Sequence, residues 1–321
     1  MCIRDSGQNT PHEFGEAKPL QFIRELYCLD GNYHRLRGRA AGQRGCPADA
    51  RSFRAANPGL FRASGFSVHP YDMTAPPGRT SQPDLDYAGL VQLPNLIQAL
   101  DRSLRSYGSV RRYGVWNTEY GYITNPPRND ALSLRNQAYY LNWAEYLSWR
   151  NPRIRSFMQY LLVDPAPTLG VAHYGGFASG LLFNPQVNGG APKPALDAWR
   201  LPLYLPRTST RRGHRLEVWG CVRPALYALQ DTQVPQVGLI QFETRGSSAF
   251  QTLDTVTLSD PDGSCYFDRS LAFPSSGTVR LAYAYPVDLA LQPTLATADP
   301  LQPAVSRSVA STSARNSARR P

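Results

Sequence analysis

Three apolar segments of the sequence each end in side chains that are able to take part in catalysis. His69 and Tyr71 end the first segment, Glu119 ends the second and Asp164 ends the third. A carboxylate can act as a nucleophile, and neighbouring imidazole and phenol groups can hold it through hydrogen bonds. If the three segments are parallel strands, these side chains converge on one site, because the carboxyl ends of parallel strands meet at one edge.

The elements that must position these residues follow from hydrophobic spacing. The predicted strands are residues 61–71, 112–119 and 154–164, and the predicted helices are residues 18–30, 93–107, 133–150 and 192–200. The helix at 93–107 carries apolar residues at helical spacing, at Leu93, Leu96, Ile97, Leu100 and Leu104. Residues 31–59 and 72–88 are rich in turn formers and are predicted to be loops. Alternating strands and helices of these lengths indicate βαβ units and a parallel sheet of the α/β class.

A second, all-β domain is predicted after about residue 207. Short segments rich in β-forming residues are separated there by turn residues, at 216–222, 236–244, 250–258, 263–270 and 278–286. This spacing is typical of an antiparallel β-sandwich of the immunoglobulin or fibronectin type. The sandwich is assigned to residues 207–308. After about residue 305 a final edge strand is expected, followed by a disordered tail that is assigned to residues 309–321.

The net charge of +10 raises the question of nucleic-acid binding, but the distribution of charge argues against it. Lys18 and Lys193 are the only lysines, and the arginines are scattered along the chain apart from short clusters such as Arg211-Arg212. A surface selected for phosphate binding normally uses both residue types, so we predict no nucleic-acid partner. No run of apolar residues approaches about 18 in length, so no membrane span is predicted.

Five cysteines bear on the compartment of the protein. Cys28 and Cys46 bracket a polar stretch rich in arginine and glycine, and a disulfide that closes this stretch would fit an extracellular protein. Two free thiols are the alternative. Cys221 and Cys265 could form a second bridge. None of the cysteines lies in a CxxC pair and no nucleotide-binding motif occurs, so neither a metal nor a cofactor is expected.

The strand ends carry motifs that resemble those of a known enzyme family. Residues 65–72 (GFSVHPYD) resemble the sixth strand, and residues 115–122 (VWNTEYGY) the seventh strand, of the retaining glycoside hydrolases of clan A. Residues 159–164 resemble the eighth strand of that family, Gly180-Leu181 resembles the loop after it, and Lys193-Pro194-Ala195 resembles the last helix. The resemblance covers about residues 18–205, and the motifs occur in the order and spacing of that family.

The resemblance implies that residues 7–206 are the C-terminal part of a (β/α)8 TIM barrel, with the β-sandwich as a common appendage. It implies that Glu119 is the catalytic nucleophile and that His69 and Tyr71 line the sugar site. Tyr122, which could hydrogen-bond the nucleophile or a sugar hydroxyl, and Asp164 are further candidate substrate-binding residues. The resemblance also implies a polysaccharide or oligosaccharide substrate and a secreted, extracellular protein. The retaining reaction needs an ionised carboxylate on one face of the sugar and a second, protonated carboxyl group about 5–5.5 Å away.

Simpler structural roles stay open for several of these residues. Glu119 could be a strand-end carboxylate paired with an arginine, and His69 could be held by a loop carbonyl. Asp164 could cap the loop that follows it instead of binding substrate. Trp116 lies three residues before Glu119. Strand alternation therefore predicts that Trp116 faces away from the site and packs on the outer helices.

The acid/base residue of the family lies in an Asn-Glu pair at the end of the fourth strand, and this sequence contains no Asn-Glu pair. Residues 1–6 (MCIRDS) resemble a translated sequencing-adapter scar and are excluded from the fold prediction. We therefore expect the full-length protein to be the glycosidase, and this N-terminally truncated chain to be inactive by itself. The alternative is a non-catalytic carbohydrate-binding or cell-surface protein with a degenerate barrel.

Overall fold

The computed structural model describes residues 18–47, 49–72, 74–80, 83–167, 177–286 and 304–314. The adapter-like residues 1–6, part of the loop after Asp164 and residues 315–321 of the predicted tail lie outside this described part. The chain divides into two compact units. The first unit comprises the residues up to 133 together with 147–180, and the second comprises 134–146 together with the residues from 181 onward.

The described residues form eight α-helices and fourteen β-strands. The helices are α1 (Pro19–Leu26), α2 (Gly38–Gln43), α3 (Ala50–Ala56), α4 (Gly59–Arg62), α5 (Leu93–Arg105), α6 (Leu134–Arg150), α7 (Pro194–Arg200) and α8 (Arg223–Thr232). The first five strands are β1 (Gly65–Val68), β2 (Gly114–Tyr120), β3 (Thr124–Asn125), β4 (Leu132–Ser133) and β5 (Ile154–Gln159). The later strands are β6 (Leu203–Tyr204), β7 (Ser209–Arg211), β8 (Arg215–Cys221), β9 (Gln236–Thr244), β10 (Gln251–Leu258), β11 (Tyr266–Ala272), β12 (Gly277–Tyr283), β13 (Ala304–Val305) and β14 (Val309–Ala314).

A three-stranded parallel sheet organises the first unit. Its order is β1-β2-β5, and Val115 in the central strand pairs with Phe66 on one side and Ile154 on the other. The chain passes through α5 between β1 and β2 and through α6 between β2 and β5. Parallel neighbours need such crossover connections, because a tight turn cannot join them. The prediction of a mixed α/β fold is confirmed by this arrangement.

The hydrophobic spacing predicted for α5 is seen in its packing. Its apolar stripe is buried throughout, at Leu93, Leu96, Ile97, Leu100 and Leu104. The helix packs against α1, which buries Leu20 and Ile23. Five buried aliphatic side chains contribute on the order of 10 kcal/mol of hydrophobic free energy, so α5 is a main support of the sheet connection.

The structure corrects the boundaries of the first predicted strand and of the loop before it. The strand is Gly65–Val68 instead of 61–71, because α4 occupies Gly59–Arg62. The predicted loop at 31–59 contains α2 and α3. The Asp49 carboxylate begins α3 by accepting hydrogen bonds of 2.9 Å from the backbone N–H groups of Arg51 and Ser52. Helices this short have no long apolar stripe, so hydrophobic spacing does not predict them.

Two sheets form the second unit. One has the order β10-β9-β12-β14-β7 with β13 also paired to β12, and the other has the order β11-β8-β6. Every segment predicted to be a strand after residue 207 contains one, namely β8, β9, β10, β11 and β12. Pairing is antiparallel except between β14 and β7. Buried side chains from both sheets, among them Val218, Ile240 and Leu281, form a common hydrophobic core.

Two segments of the second unit differ from the prediction. The final strand expected after about residue 305 is β14, at residues 309–314 that were assigned to the tail. It pairs with both β12 and β7, so it is not an edge strand, and it buries Val309 in the core. Residues 223–232 form α8, which has Pro224 in its first turn and ends at Gln233 in a left-handed conformation. The sequence of β14 (VASTSA) has one large apolar side chain, so its strand is specified by pairing with β12 and not by a hydrophobic pattern.

A buried ion pair connects α6 with the strands of the second unit. Glu145 is almost fully buried, and its Oε1 binds the Arg223 guanidinium and accepts a hydrogen bond of 2.6 Å from Tyr266 Oη. The same guanidinium lies 4.2 Å from the centre of the Trp199 ring. Removing one member of a buried pair leaves an uncompensated charge, which typically costs about 3–5 kcal/mol.

Disulfide bonds join Cys28 to Cys46 and Cys221 to Cys265. The first closes the arginine-rich stretch of the first unit, and the second links the end of β8 to the residue before β11. Disulfides persist in oxidising compartments, so both bridges are compatible with an extracellular location. Within the described part of the chain, each helix is too short or too polar to cross a membrane.

We predict that these four cysteines resist alkylation in the denatured, unreduced protein and react after reduction. Reduction should also lower the melting temperature, because each bridge constrains the unfolded chain and contributes about 2–4 kcal/mol of stability. Mass spectrometry of tryptic peptides with and without reductant identifies both pairs. Alkylation of any of the four before reduction would contradict the assignment.

Candidate functional site

The carboxyl ends of β1 and β2 bring three of the predicted site residues together. His69 and Tyr71 follow β1, and Glu119 lies near the end of β2. The two strands are in parallel register up to the pair Val68 and Asn117, so they end side by side. The Glu119 side chain is 28% exposed and that of His69 is 14% exposed. A ligand can therefore reach the carboxylate, while the imidazole is mostly covered.

An irregularity in β2 decides which side chains face the site. The pairing of β2 with β5 shifts between Asn117 and Tyr120, so simple alternation does not hold over this stretch. As a result, Thr118 and Glu119 both contact His69. Trp116 was expected to pack on the outer helices, and this prediction is wrong. Its side chain is 41% exposed, because the neighbouring residues Val115 and Asn117 take the buried face of the strand.

Glu119 is held through one of its two carboxylate oxygens. Tyr71 Oη donates a hydrogen bond of 3.3 Å to Oε2, and His69 Nδ1 lies 3.3 Å from the same atom. Oε1 has no hydrogen-bond or ion-pair partner among the described residues, and no arginine of the described part is paired with this carboxylate. One oxygen is therefore fixed in position and the other is available to a ligand.

A chain of hydrogen bonds orients His69. Its Nε2 lies 3.1 Å from Thr118 Oγ1, which lies 2.6 Å from Ser67 Oγ. His69 Nδ1 faces the Glu119 carboxylate at 3.3 Å, and an ionised carboxylate only accepts hydrogen bonds, so a proton on Nδ1 is favoured at this position. In the neutral imidazole, Nε2 then accepts from the Thr118 hydroxyl, and that hydroxyl oxygen accepts from Ser67. The network assigns the Nδ1–H tautomer to neutral His69.

Tyr71 is a hydrogen-bond donor that keeps its proton at physiological pH. Burial raises the pKa of its phenol well above the ordinary value, and the nearby charge of Glu119 raises it further. The ring is packed edge to face against Phe177 and Tyr160, with centroid distances of 4.8 and 6.2 Å. The phenol hydroxyl is thus held in one place and donates to Glu119.

Asp72, directly after Tyr71, is a residue that motif spacing alone does not identify. It is fully buried, and its Oδ2 accepts a hydrogen bond of 2.9 Å from the Leu90 backbone N–H. Its Oδ1 has no hydrogen-bond partner in the described part of the chain. Gly89 approaches so closely that a Cβ there would lie 2.3 Å from Oδ1. Burial raises the pKa of Asp72 to about 7, although the Leu90 hydrogen bond opposes the shift.

Tyr122 and Asp164 hold backbone segments beside the site. Tyr122 is fully buried, and its Oη donates a hydrogen bond of 3.0 Å to the Ala75 carbonyl oxygen. Asp164 is also buried, and its Oδ1 accepts a hydrogen bond of 2.8 Å from the Gly180 backbone N–H. A Cβ at Gly180 would lie 2.5 Å from the Asp164 nitrogen, so only glycine fits there. This contact agrees with the alternative that Asp164 caps the loop that follows it. Substrate binding by Tyr122 or by Asp164 stays a prediction.

The end of β5 forms a strained turn that Gln159 holds. Its Nε2 donates hydrogen bonds to the carbonyl oxygens of Tyr160, at 2.8 Å, and Ser179, at 2.7 Å. Leu161 has a φ of 72°, which is costly for a residue with a side chain and persists only where the surroundings impose it. The turn places the Tyr160 ring against Tyr71, so it helps to fix the donor to Glu119.

This arrangement presents an open carboxylate oxygen, while the other oxygen is held by the Tyr71 hydroxyl and lies beside the His69 imidazole. An open oxygen can attack an electrophilic carbon or accept hydrogen bonds from ligand hydroxyl groups. Groups of three or more side chains able to ligate a metal do not occur among the described residues, and we assign no metal site.

No protein-family model and no curated protein matches the sequence. Among solved structures, the chain is similar to a family 39 glycoside hydrolase from Bacteroides cellulosilyticus WH2, with 17% identity and a TM-score of 0.36 over 70% of this chain and 46% of that chain. It is also similar to β-glucuronidase 2 of Bacteroides uniformis, with 12% identity and a TM-score of 0.31 over 82% of this chain and 28% of that one. For an endo-β-1,4-mannanase from Thermotoga petrophila the identity is 10% and the TM-score 0.25, over 78% and 48% of the two chains. This chain spans less than half the length of each of these structures.

We predict that neutral His69 carries its proton on Nδ1 and that Glu119→Ala releases this preference, because the carboxylate that faces Nδ1 is then lost. Nitrogen NMR of ¹⁵N-histidine-labelled protein distinguishes the protonated from the unprotonated ring nitrogen, and His69→Gln identifies the signal. Ser67→Ala is the control, since it leaves the Glu119 carboxylate and the Thr118 hydroxyl in place and should preserve the tautomer. An Nε2–H signal for His69 in the unsubstituted protein would contradict the network.

We predict that the contribution of Asp72 to the stability of the protein falls between about pH 4 and pH 7. Below the unfolded pKa of about 4 the carboxyl is protonated in both states, but above it the unfolded state ionises while the folded state keeps its proton until about pH 7. Asp72→Asn should remove this loss. The difference in the free energy of unfolding between the variant and the unsubstituted protein should therefore shift in favour of the variant by up to about 4 kcal/mol from pH 4 to pH 7.

Urea unfolding over a series of pH values measures the Asp72 effect, with Asp101→Asn as a control of opposite sign. Burial opposes ionisation of Asp101, but hydrogen bonds of 2.9 and 3.1 Å from Arg153 lower its pKa overall. Asp101 therefore stabilises the fold at neutral pH and loses this effect as the pH falls. Parallel pH curves for Asp72→Asn and the unsubstituted protein would rule out a buried protonated carboxyl.

Proposed function

We propose that this chain is part of a retaining glycoside hydrolase and that Glu119 is its nucleophile. The observation that carries the proposal is the asymmetry of the carboxylate, whose Oε2 is 3.3 Å from both Tyr71 and His69 while Oε1 is open. A nucleophile must be fixed in position and must direct one lone pair at the reacting carbon. The strand-end motifs that resemble clan A glycoside hydrolases support the same role.

In the proposed reaction, Glu119 Oε1 attacks the anomeric carbon, and the bond from that carbon to the leaving oxygen breaks with its electron pair passing to the leaving group. A second carboxyl group protonates the leaving oxygen. As a carboxylate it then takes a proton from water, whose oxygen bonds to the anomeric carbon while the bond from that carbon to Glu119 Oε1 breaks. The hydrogen bond from Tyr71 and the nearby His69 imidazole stabilise the Glu119 carboxylate when it leaves in this second step. We propose that these two residues also line the sugar site, with Tyr122 and Asp164 around them.

The second carboxyl group is proposed to belong to an upstream segment of a longer protein. No carboxylate of the described residues contacts Glu119. Since the retaining reaction needs both groups about 5–5.5 Å apart, this chain by itself is expected not to turn over glycosides. The proposal therefore concerns the full-length protein.

We further propose that β1, β2 and β5 are the last three strands of a (β/α)8 barrel that includes residues 7–206. Their order, their parallel pairing and the crossover helices α5 and α6 support this. Residues 207–308 are proposed to form an immunoglobulin- or fibronectin-like sandwich, which the two sheets of the second unit support. The substrate is proposed to be a polysaccharide or oligosaccharide outside the cell, where both disulfides would persist.

A non-catalytic carbohydrate-binding protein is the second candidate. The observation that favours it is that Glu119 has no carboxylate partner within the described part of the chain. The open Oε1 would then accept hydrogen bonds from sugar hydroxyl groups and would not attack the ring.

In a longer protein that includes this chain, we expect Glu119→Ala to lower the hydrolysis of aryl glycosides by at least about 10³-fold, because the nucleophile is lost. Azide should restore turnover of dinitrophenyl glycosides by this variant, since the small anion fits the vacated space and this leaving group needs no protonation. The glycosyl azide formed should have the inverted anomeric configuration, which NMR determines. A panel of dinitrophenyl glycosides identifies the sugar.

Glu243→Ala, at a partly exposed glutamate of β9 in the second unit, is the matched control and should keep full activity. Loss of activity in Glu119→Ala without rescue by azide would assign Glu119 a structural role. Sugar binding without hydrolysis by the unsubstituted longer protein would support the binding candidate.

A further inference from the structure

Two arginine-rich segments of the first unit take no part in the site around Glu119. Residues 31–64 contain seven arginines and one acidic residue, Asp49. Residues 102–112 contain four arginines and no acidic residue. We call the eleven arginines of these two segments the basic edge. They are scattered in the sequence, but contacts between the two segments bring several of them close together in the fold.

Direct contacts join the two segments. The rings of Phe53 and Tyr107 are stacked with a centroid distance of 4.4 Å. Ser106 Oγ donates a hydrogen bond of 2.6 Å to the Tyr33 carbonyl oxygen. Arg102 lies over the Tyr33 ring, 4.1 Å from its centre, and donates a hydrogen bond of 3.0 Å to the carbonyl oxygen of Asn32. Arg35 lies over the Tyr107 ring, and Arg54 donates a hydrogen bond of 3.3 Å to the Tyr107 carbonyl oxygen, so arginines of the first segment lie against the second segment.

The basic edge lies at the opposite end of the sheet from Glu119. Residues 31–64 lead into β1 at Gly65, and residues 102–112 precede β2 at Gly114, and these two glycines are paired in the parallel register. Both segments therefore adjoin the amino ends of the strands. His69 and Glu119 lie at the carboxyl ends, so a ligand on the basic edge does not occupy the site already described.

The charge of the basic edge is largely uncompensated. Within the described residues, two of its arginines have a carboxylate within ion-pair distance, Arg44 with Glu25 at 3.9 Å and Arg112 with Asp101 at 3.5 Å. Eight others are exposed and have no carboxylate of the described part within ion-pair distance, among them Arg37, Arg39, Arg62, Arg105 and Arg111. Clustered like charges repel one another, so a surface of this kind is stabilised by a bound polyanion.

We propose that the basic edge binds a carboxylate-bearing polysaccharide, a polyuronate chain, outside the proposed catalytic site. Guanidinium groups match carboxylates through paired hydrogen bonds, and a polymer with a carboxylate on each sugar can contact several arginines at once. The disulfide between Cys28 and Cys46 lies within this edge and is compatible with an oxidising, extracellular compartment. Acidic polysaccharides are polyanions that occur in such a compartment. The surface holds the protein on such a polymer, and this role is independent of Glu119.

The test measures the affinity of the full chain for polygalacturonate, with dextran as the neutral polymer and a DNA duplex as the competing polyanion. Arg37→Gln, Arg39→Gln and Arg62→Gln are combined in one variant. The matched control combines Arg211→Gln, Arg212→Gln and Arg245→Gln, which change the net charge equally at exposed arginines of the second unit. Melting temperatures of both variants show that each is folded.

We expect the basic-edge variant to bind polygalacturonate about tenfold more weakly or worse, since each exposed contact contributes up to about 1 kcal/mol. The control variant should stay within about twofold, and dextran should not bind. Glu119→Gln should bind polygalacturonate as the unsubstituted protein does, which separates this proposal from the proposed catalytic function. Equal losses in the two arginine variants, binding of DNA more tightly than polygalacturonate, or no binding of polygalacturonate at low salt would each overturn it.

Discussion

The parallel pairing of β1, β2 and β5 is the constraint on which the site and the basic edge both depend. Backbone hydrogen bonds between the strands place Gly65 beside Gly114 at one end and Val68 beside Asn117 near the other. Because the strands run in the same direction, the residues that directly follow them lie at one edge of the sheet, and the residues that directly precede them lie at the opposite edge. Residues far apart in the chain thereby become neighbours, with Glu119 beside His69 at one edge and two arginine segments together at the other.

Buried carboxylates next to the strand ends hold the backbone around the site. Asp72 accepts a hydrogen bond from the Leu90 N–H, and Asp164 accepts one from the Gly180 N–H. In each case a glycine lies where a side chain would collide with the carboxylate or its backbone, at Gly89 and Gly180. Burying a carboxyl group is unfavourable unless hydrogen bonds compensate, so each acts as a local anchor for one loop. Glu119 differs from both, because one of its oxygens stays open.

The two edges of the sheet have opposite electrostatic character. At the carboxyl edge, a carboxylate with two fixed donors suits chemistry at a single ligand atom. At the amino edge, several exposed guanidinium groups suit a repeating polyanion, because each contributes little and the total depends on their number. A protein that holds a polymer at one edge and acts on a sugar at the other would keep its substrate at a high local concentration.

The sequence by itself determined the α/β character of the first part, the strand segments of the second part and the ends of the strands at which polar residues occur. These features depend on local spacing and turn residues, which are visible in any single stretch of chain. The motifs around His69, Tyr71 and Glu119 also indicated which strand ends belong together.

Only the tertiary structure decided the features that depend on contacts between distant residues. The register shift in β2 brings Thr118 and Glu119 to the same imidazole, and alternation along one strand cannot predict it. The raised pKa of Asp72 follows from burial by other segments, and the strand β14 follows from pairing with β12. The basic edge forms because the sheet aligns two separate segments, and for this reason the arginines look scattered in the sequence and lie together in the fold.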